Sequence, residues 1–194
     1  MGEPSRRLII LLHEIYGVNR HMEWRAERLR REGYEVLCPN LLGREPFEYE
    51  AAAEAYAYFL NEVGFEKAYQ EARRIILDQL PRYDALYLMG FSAGATVAWR
   101  CSELGVRGAV GYYGSRIRDF AAVRPECPVL LFFPETEPGF TVAELVETLN
   151  HRPKVECHVF AGAHGFADPF SARYHQASAA RAEGLLQRFL GEIG

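Results

Sequence analysis

No stretch of this chain approaches the roughly eighteen consecutive apolar residues that a membrane-crossing helix requires. The first apolar run, Leu8 to Leu12, is also too short for the core of a secretory signal. The expected setting is therefore the cytoplasm, with no membrane partner. Cysteine is sparse. Cys38, Cys101, Cys127 and Cys157 are widely spaced, form no C-x-x-C pair and sit in apolar or strand-like surroundings. That pattern excludes a disulfide framework and reads as reduced, buried thiols. Positive charge is not in excess either: Lys+Arg 22 against Asp+Glu 26 gives a net charge of −4, so nothing electrostatic favours nucleic acid. Neither H-E-x-x-H nor paired Cys/His spacing occurs, so no zinc or other metal site is expected. Repeats, low-complexity tracts and linkers are also missing.

What is present is a globular composition, 49% hydrophobic and 25% charged over 194 residues. This suits one domain, residues 1–194, large enough to bury its own core. Strand and helix signals alternate from end to end. Strands are expected at 8–12, 34–38, 85–89, 107–112, 128–133 and 155–160. Helices are expected at 22–32, 93–104, 142–149 and 172–190, with one or two more across 47–80, broken near Gly64. Such alternation predicts an α/β fold with a mostly parallel sheet and helices on both faces. Ligands then bind beyond the carboxyl ends of the strands, so the loops there deserve a search for reactive residues.

The strongest signal is Gly90-Phe91-Ser92-Ala93-Gly94, a G-x-S-x-G sequence between a strand and a helix. A sharp turn there lifts the serine hydroxyl above the sheet, and the small flanking residues let the turn pack. A hydroxyl needs a base. Of six histidines, His164 in Gly162-Ala163-His164-Gly165-Phe166 follows the last strand, at the same edge and downstream of the serine. His158 reads as structural, and His21, His151 and His175 as surface residues. The third member should be a carboxylate orienting the imidazole. Glu137 and Glu135 both lie in the loop after Phe133. Glu137 is favoured for standing further beyond the strand, with Asp119 and Asp168 as outsiders. Backbone N–H groups of Ala93 and of Ile15, in the first loop His13-Glu14-Ile15-Tyr16-Gly17, could receive an oxyanion. Glu14 is unusual there, since a carboxylate at a cleft either pairs with a base or holds its proton more tightly. Tyr16, Phe91, Tyr113 and Phe166, beside these motifs, are the expected pocket lining.

The chain resembles the dienelactone hydrolase family of the α/β-hydrolase fold. The segments that carry the likeness are His13 to Gly17, Glu32-Gly33-Tyr34, Cys38-Pro39-Asn40-Leu41, Gly90 to Gly94, Gly111-Tyr112-Tyr113-Gly114 and His164-Gly165-Phe166. The resemblance implies Ser92 as nucleophile, His164 as base, an acid in the Pro134-Glu135-Thr136-Glu137 segment, and Ile15 and Ala93 as oxyanion donors. It also implies that a glutamate at Glu14 holds or activates the nucleophile. The family's type member uses cysteine where this chain has Ser92. It also has a substrate-gripping arginine four residues past its histidine, where this chain has Asp168. Arg20, Arg44 or Arg116 are alternative clamps, and the compact 40–85 segment implies a small or absent cap. The resulting expectation is a serine hydrolase acting on a small-molecule ester, lactone or thioester through an acyl-enzyme, without cofactor, as monomer or homodimer. The alternatives are a non-catalytic ligand-binding protein on the same fold, or an acyltransferase or amidase using the same residues.

Overall fold

Short, continuously apolar strands suit a parallel sheet, because helices cover both of its faces and leave no side for polar residues. The four central strands are of this kind, whereas the two edge strands carry polar and part-exposed residues such as Glu35, Glu156 and His158. The computed structural model describes residues 5–194, so the first four residues of the expected 1–194 domain lie outside the described residues. Strands β1 (Arg7–Leu12), β2 (Glu35–Leu37), β3 (Ala85–Phe91), β4 (Gly108–Tyr112), β5 (Val129–Pro134) and β6 (Val155–Phe160) make one sheet in the order β2-β1-β3-β4-β5-β6. Every pairing is parallel, with Leu11 beside Met89 and Gly90 beside Gly111. This is the α/β architecture expected from the sequence.

Helices α1 (Arg20–Arg31) and α6 (Gln176–Ile193) cover one face, packing Met22, Ala26, Leu29, Leu186 and Phe189 on Ile9, Leu11, Tyr87 and Met89. Helices α2 (Ala52–Tyr58), α3 (Gly64–Gln79), α4 (Ala93–Cys101) and α5 (Val142–Asn150) cover the other, against Leu8, Ile10, Leu12 and Leu88. Side chains alternate along each strand, so consecutive apolar residues of β1 feed two separate cores. Among the described residues, no helix is long and apolar enough to cross a membrane.

The expected break near Gly64 is present, where a π-helical turn (Phe59–Val63) joins α2 to α3. Two helices are shorter than their sequence pattern. The last starts at Gln176 rather than 172, because His175 caps it by accepting the Ser178 N–H at 3.3 Å. Helix α4 stops at Cys101 rather than 104, where the Ser102 hydroxyl donates to the Trp99 carbonyl at 2.6 Å. All four cysteines are free. Cys101 and Cys127 are buried as expected, whereas Cys38 and Cys157 are only half-buried.

The order of strands reverses between β1 and β3, and chain segments at such a switch point splay apart to leave a crevice. The loop carrying Glu14 and Ile15 leaves β1 there, and Ser92 leaves β3. The approach between β3, α4 and β1 is too close for any side chain. A Cβ on Gly90 would stand 2.2 Å from the Gly94 carbonyl oxygen, and one on Gly94 would stand 2.1 Å from that of Leu12. Gly94→Ala should therefore cost at least about 4 kcal/mol and lower Tm by roughly 10 °C. Gly184→Ala, in an open stretch of α6, should be neutral or stabilise by up to about 1 kcal/mol. Thermal unfolding of the two variants checks the contrast.

A buried ion pair ties α1 to α6. Arg25 donates to Glu183 at 2.7 Å and Arg28 to its other oxygen at 3.1 Å. The Arg25 side chain is 3% exposed. Burial opposes ionisation of Glu183, but the two guanidiniums outweigh it and hold the carboxyl below its ordinary value of 4.5. Glu183→Ala would strand the Arg25 charge inside the protein, at an expected cost of about 3–5 kcal/mol at neutral pH. A group with a lowered folded pKa contributes above its unfolded pKa and loses that contribution as pH falls through the folded value. Urea titrations should therefore find the gap between parent and variant closing in acid.

Candidate active site

The turn after β3 holds Ser92 at φ 51°, ψ −111°, a left-handed conformation that costs energy for any residue with a side chain. Three contacts fix it: the Ser92 N–H donates to the Tyr112 carbonyl at 2.9 Å, its own carbonyl accepts from Thr96, and the two flanking glycines let the backbones close up. Ser92 thereby caps α4, and the hydroxyl stands at the helix N-terminus above the sheet.

His164 arrives on the turn-rich segment between β6 and α6. Its Nε2 lies 2.8 Å from Ser92 Oγ and its Nδ1 lies 2.6 Å from Glu137 Oε1. A carboxylate only accepts, so Nδ1 carries the ring proton and donates it to Glu137, leaving Nε2 to accept the serine O–H. Glu137 reaches this position through a tight turn, Glu137-Pro138-Gly139-Phe140. Proline stands at its second position and Gly139, at φ 84°, at its third. The Glu137 side chain is 4% exposed. Glu135, the other loop candidate, is exposed, and its N–H is used in pairing with the Phe160 carbonyl. Asp119 lies elsewhere, bound to Arg116 at 2.7 Å.

Two lobes of one hollow meet at Ser92 and His164. The first, of about 460 Å³, is lined by Glu14, Tyr16, Tyr49, Glu50, Asp168 and Phe170 among others. The second, of about 360 Å³, is lined by Tyr56, Phe59, Phe65, Arg116, Arg118 and Pro138. Ile15 and Arg173 border both lobes, and Ala93 borders the second. Among the described residues, neither the Ile15 nor the Ala93 N–H has an acceptor within the fold, so both are free to face an incoming oxygen. The short helices between β2 and β3 supply part of the roof. Of the expected arginine clamps only Arg116 reaches the hollow; Arg20 lies over the Phe170 ring and Arg44 over Phe47.

Three residues expected on the pocket wall are elsewhere. Phe91, Tyr113 and Phe166 are fully buried and line neither lobe. Phe91 is the last residue of β3, and alternation along that strand sends its ring to the face covered by α1 and α6, where it stacks on Tyr112 at 4.6 Å. Tyr113 packs its ring 4.9 Å from that of His164, and Phe166 packs against Tyr113 at 5.6 Å. Tyr113, backed by Phe166, thus supports the imidazole from within the protein. His21, expected on the surface, is fully buried on α1, with its ring edge-on to Phe91 at 4.6 Å. His151 is exposed as expected, whereas His175 is half-buried and serves as the α6 cap. His158, half-buried on β6, pairs with Glu156 at 2.6 Å.

Sequence reading assigned no role to His13. It is buried, its Nε2 accepts the Leu41 N–H at 2.9 Å, and its Nδ1 therefore donates to the Glu14 carbonyl at 2.6 Å. Burial lowers its pKa, so it stays neutral and able to accept. It thus fixes the loop that presents Ile15. Glu14 itself is 6% exposed, and burial raises its pKa to about 7, with the Asp168 charge adding to the effect and His164 opposing it. Burial likewise raises Asp168, against the Tyr49 hydroxyl and the N–H groups of Phe170 and Ser171. Tyr49 and Arg173 also went unanticipated, as no motif marks them.

The sequence model of the dienelactone hydrolase family matches residues 2–194. The chain is 42% identical over 174 residues to the uncharacterized protein YczH of Bacillus subtilis (strain 168), covering 88% of this chain and 85% of that one. It is 27% identical over 216 residues to the carboxymethylenebutenolidase of Pseudomonas putida, covering 100% and 90% respectively. Among solved structures, the dienelactone hydrolase-like promiscuous phosphotriesterase P91 from metagenomic libraries superposes with a TM-score of 0.77 at 18% identity, covering 99% of this chain and 88% of that one.

Proposed function

The chain is a hydrolase of the dienelactone hydrolase family, and on that premise we propose that it cleaves a small ester, lactone or thioester through a serine acyl-enzyme. The observation that carries this reading is the unbroken hydrogen-bonded chain from Glu137 through His164 to Ser92, with distances of 2.6 and 2.8 Å. In the proposed reaction His164 Nε2 takes the hydroxyl proton as Ser92 Oγ attacks the acyl carbon. Glu137 holds the tautomer and stabilises the imidazolium. The oxygen that becomes negative is received by the Ile15 and Ala93 N–H groups, aided by the N-terminus of α4. The imidazolium then protonates the leaving group. Water, deprotonated by the same imidazole, releases the acyl half.

The hollow supports a small substrate. Phe59, Phe65 and Tyr56 in the second lobe suit a flat or apolar half, and Arg116, Arg118 and Arg173 share its lining. Asp168 in the first lobe disfavours a carboxylate there. Treatment with a fluorophosphonate should give one phosphonyl adduct on the peptide containing Ser92, together with loss of activity toward p-nitrophenyl acetate. Heat-denatured protein and Ser92→Ala should show no adduct. Absence of both labelling and ester hydrolysis in the native protein would remove the basis for the proposal.

A further inference from the structure

At the wall of the first lobe, which Glu14 and Asp168 line, lies a group of buried side chains that the proposed serine chemistry does not use. Glu14 from the loop after β1, His21 from α1 and Asp168 from the segment after β6 each present a ligand atom, and these atoms lie within 4.8 Å of one another. The residues are 6%, 0% and 1% exposed. His21 is the anomaly. Neither of its ring nitrogens has a hydrogen-bond partner in the described structure, although its Nδ1 lies 3.7 Å from Asp168 Oδ2. Buried polar atoms are nearly always satisfied, and an exception calls for a missing partner.

The surrounding charges indicate what kind of partner. Among the described residues, no lysine or arginine forms an ion pair with Glu14 or Asp168. Asp168 accepts from the Tyr49 hydroxyl and, at 2.9 Å, from the Phe170 N–H, which leaves lone pairs free. Arg25, next to His21, is already balanced by Glu183. Two buried carboxylates and a neutral imidazole thus converge without a cation, and buried charges of this kind pair or coordinate metal. Two ligands held about 2.1 Å from one ion at a tetrahedral angle are about 3.4 Å apart, close to the separation of His21 and Asp168.

We propose that Glu14, His21 and Asp168 bind one divalent cation of the first transition row, joining the β1 loop, α1 and the β6–α6 segment at the wall of the first lobe. The mixed nitrogen and oxygen donors suit Zn²⁺ or Mn²⁺ better than Ca²⁺ or Mg²⁺, which favour oxygen alone. Three protein ligands leave a coordination position for water. The sequence conceals the site because its members are scattered over positions 14, 21 and 168 with no recognisable spacing.

The test is equilibrium dialysis of the untagged chain, stripped with a chelator and then exposed to micromolar Zn²⁺, with bound metal measured by mass spectrometry. The expected result is close to one Zn²⁺ per chain. Asp168→Asn and His21→Gln should each weaken binding at least about 100-fold and abolish the accompanying rise in Tm. His151→Ala, which removes an exposed histidine, should retain it. Circular dichroism establishes that each variant is folded. Should His21→Gln unfold, His21→Phe, which keeps the ring's packing on Phe91, replaces it. No binding by the parent, or undiminished binding by either folded variant, overturns the site.

Discussion

Ser92→Ala is expected to lower kcat by about 10⁴- to 10⁶-fold on any ester the parent hydrolyses, and His164→Ala by a similar factor. The reason is that each removal stops the same event. Without the hydroxyl there is no atom to acylate, and without the imidazole the hydroxyl keeps its proton. The double variant should accordingly be little worse than either single one, because residues that act as a unit lose their function together. What survives should come from the free Ile15 and Ala93 N–H groups and from positioning in the two lobes. Stability should change by no more than about 1 kcal/mol for Ser92→Ala, since the left-handed turn is imposed by Gly90, Gly94 and the Tyr112 carbonyl. Single-turnover and steady-state rates, with circular dichroism as the folding control, decide the matter. Retention of more than about one hundredth of the parental kcat in either variant would contradict the role given to that residue.

The second large effect concerns the carboxylate. Glu137→Gln should cost about 10⁴-fold in kcat, although the two side chains are nearly the same shape. The amide can present N–H to His164 Nδ1, which forces the ring proton onto Nε2, where it meets the serine as a donor and cannot accept. Glu135→Gln, at an exposed site without contact to the imidazole, should stay within about twofold of the parent, as surface changes usually do. The pair of variants separates two residues that differ by two positions in the sequence. An equal loss in both, or a larger one at Glu135, would mean that the loop rearranges when substrate binds.

Much of this arrangement could be read from the residues in order. Short apolar-rich runs alternating with helical patterns identified the strands, and the positions of Ser92, His164, Glu14 and Ile15 just after three of those strands brought them to one edge. The choice between Glu135 and Glu137 was harder, because it depends on a two-residue turn at Pro138 and Gly139 whose direction no pattern reveals. The wall of the hollow was misread for a physical reason. Phe91, Tyr113 and Phe166 adjoin functional residues along the chain, yet strand alternation and tight turns send neighbours in opposite directions. His21 was misread because its neighbours Asn19, Arg20 and Arg25 are polar, while α1 turns the face carrying His21 and Arg25 inward. Tyr49, Arg173 and the His13 clamp depend on contacts between distant segments, which periodicity does not record.

The placement of Ser92 and His164 at the divide between two lobes has a bearing on traffic. On the proposed mechanism, a molecule cut there would leave its halves in separate chambers, one still tethered to the serine and the other loose. The loose fragment can depart without disturbing its tethered counterpart, and water can arrive through the chamber it vacated. Widening one chamber should therefore alter which alcohols or thiols are expelled quickly, while widening the other alters which acids are released.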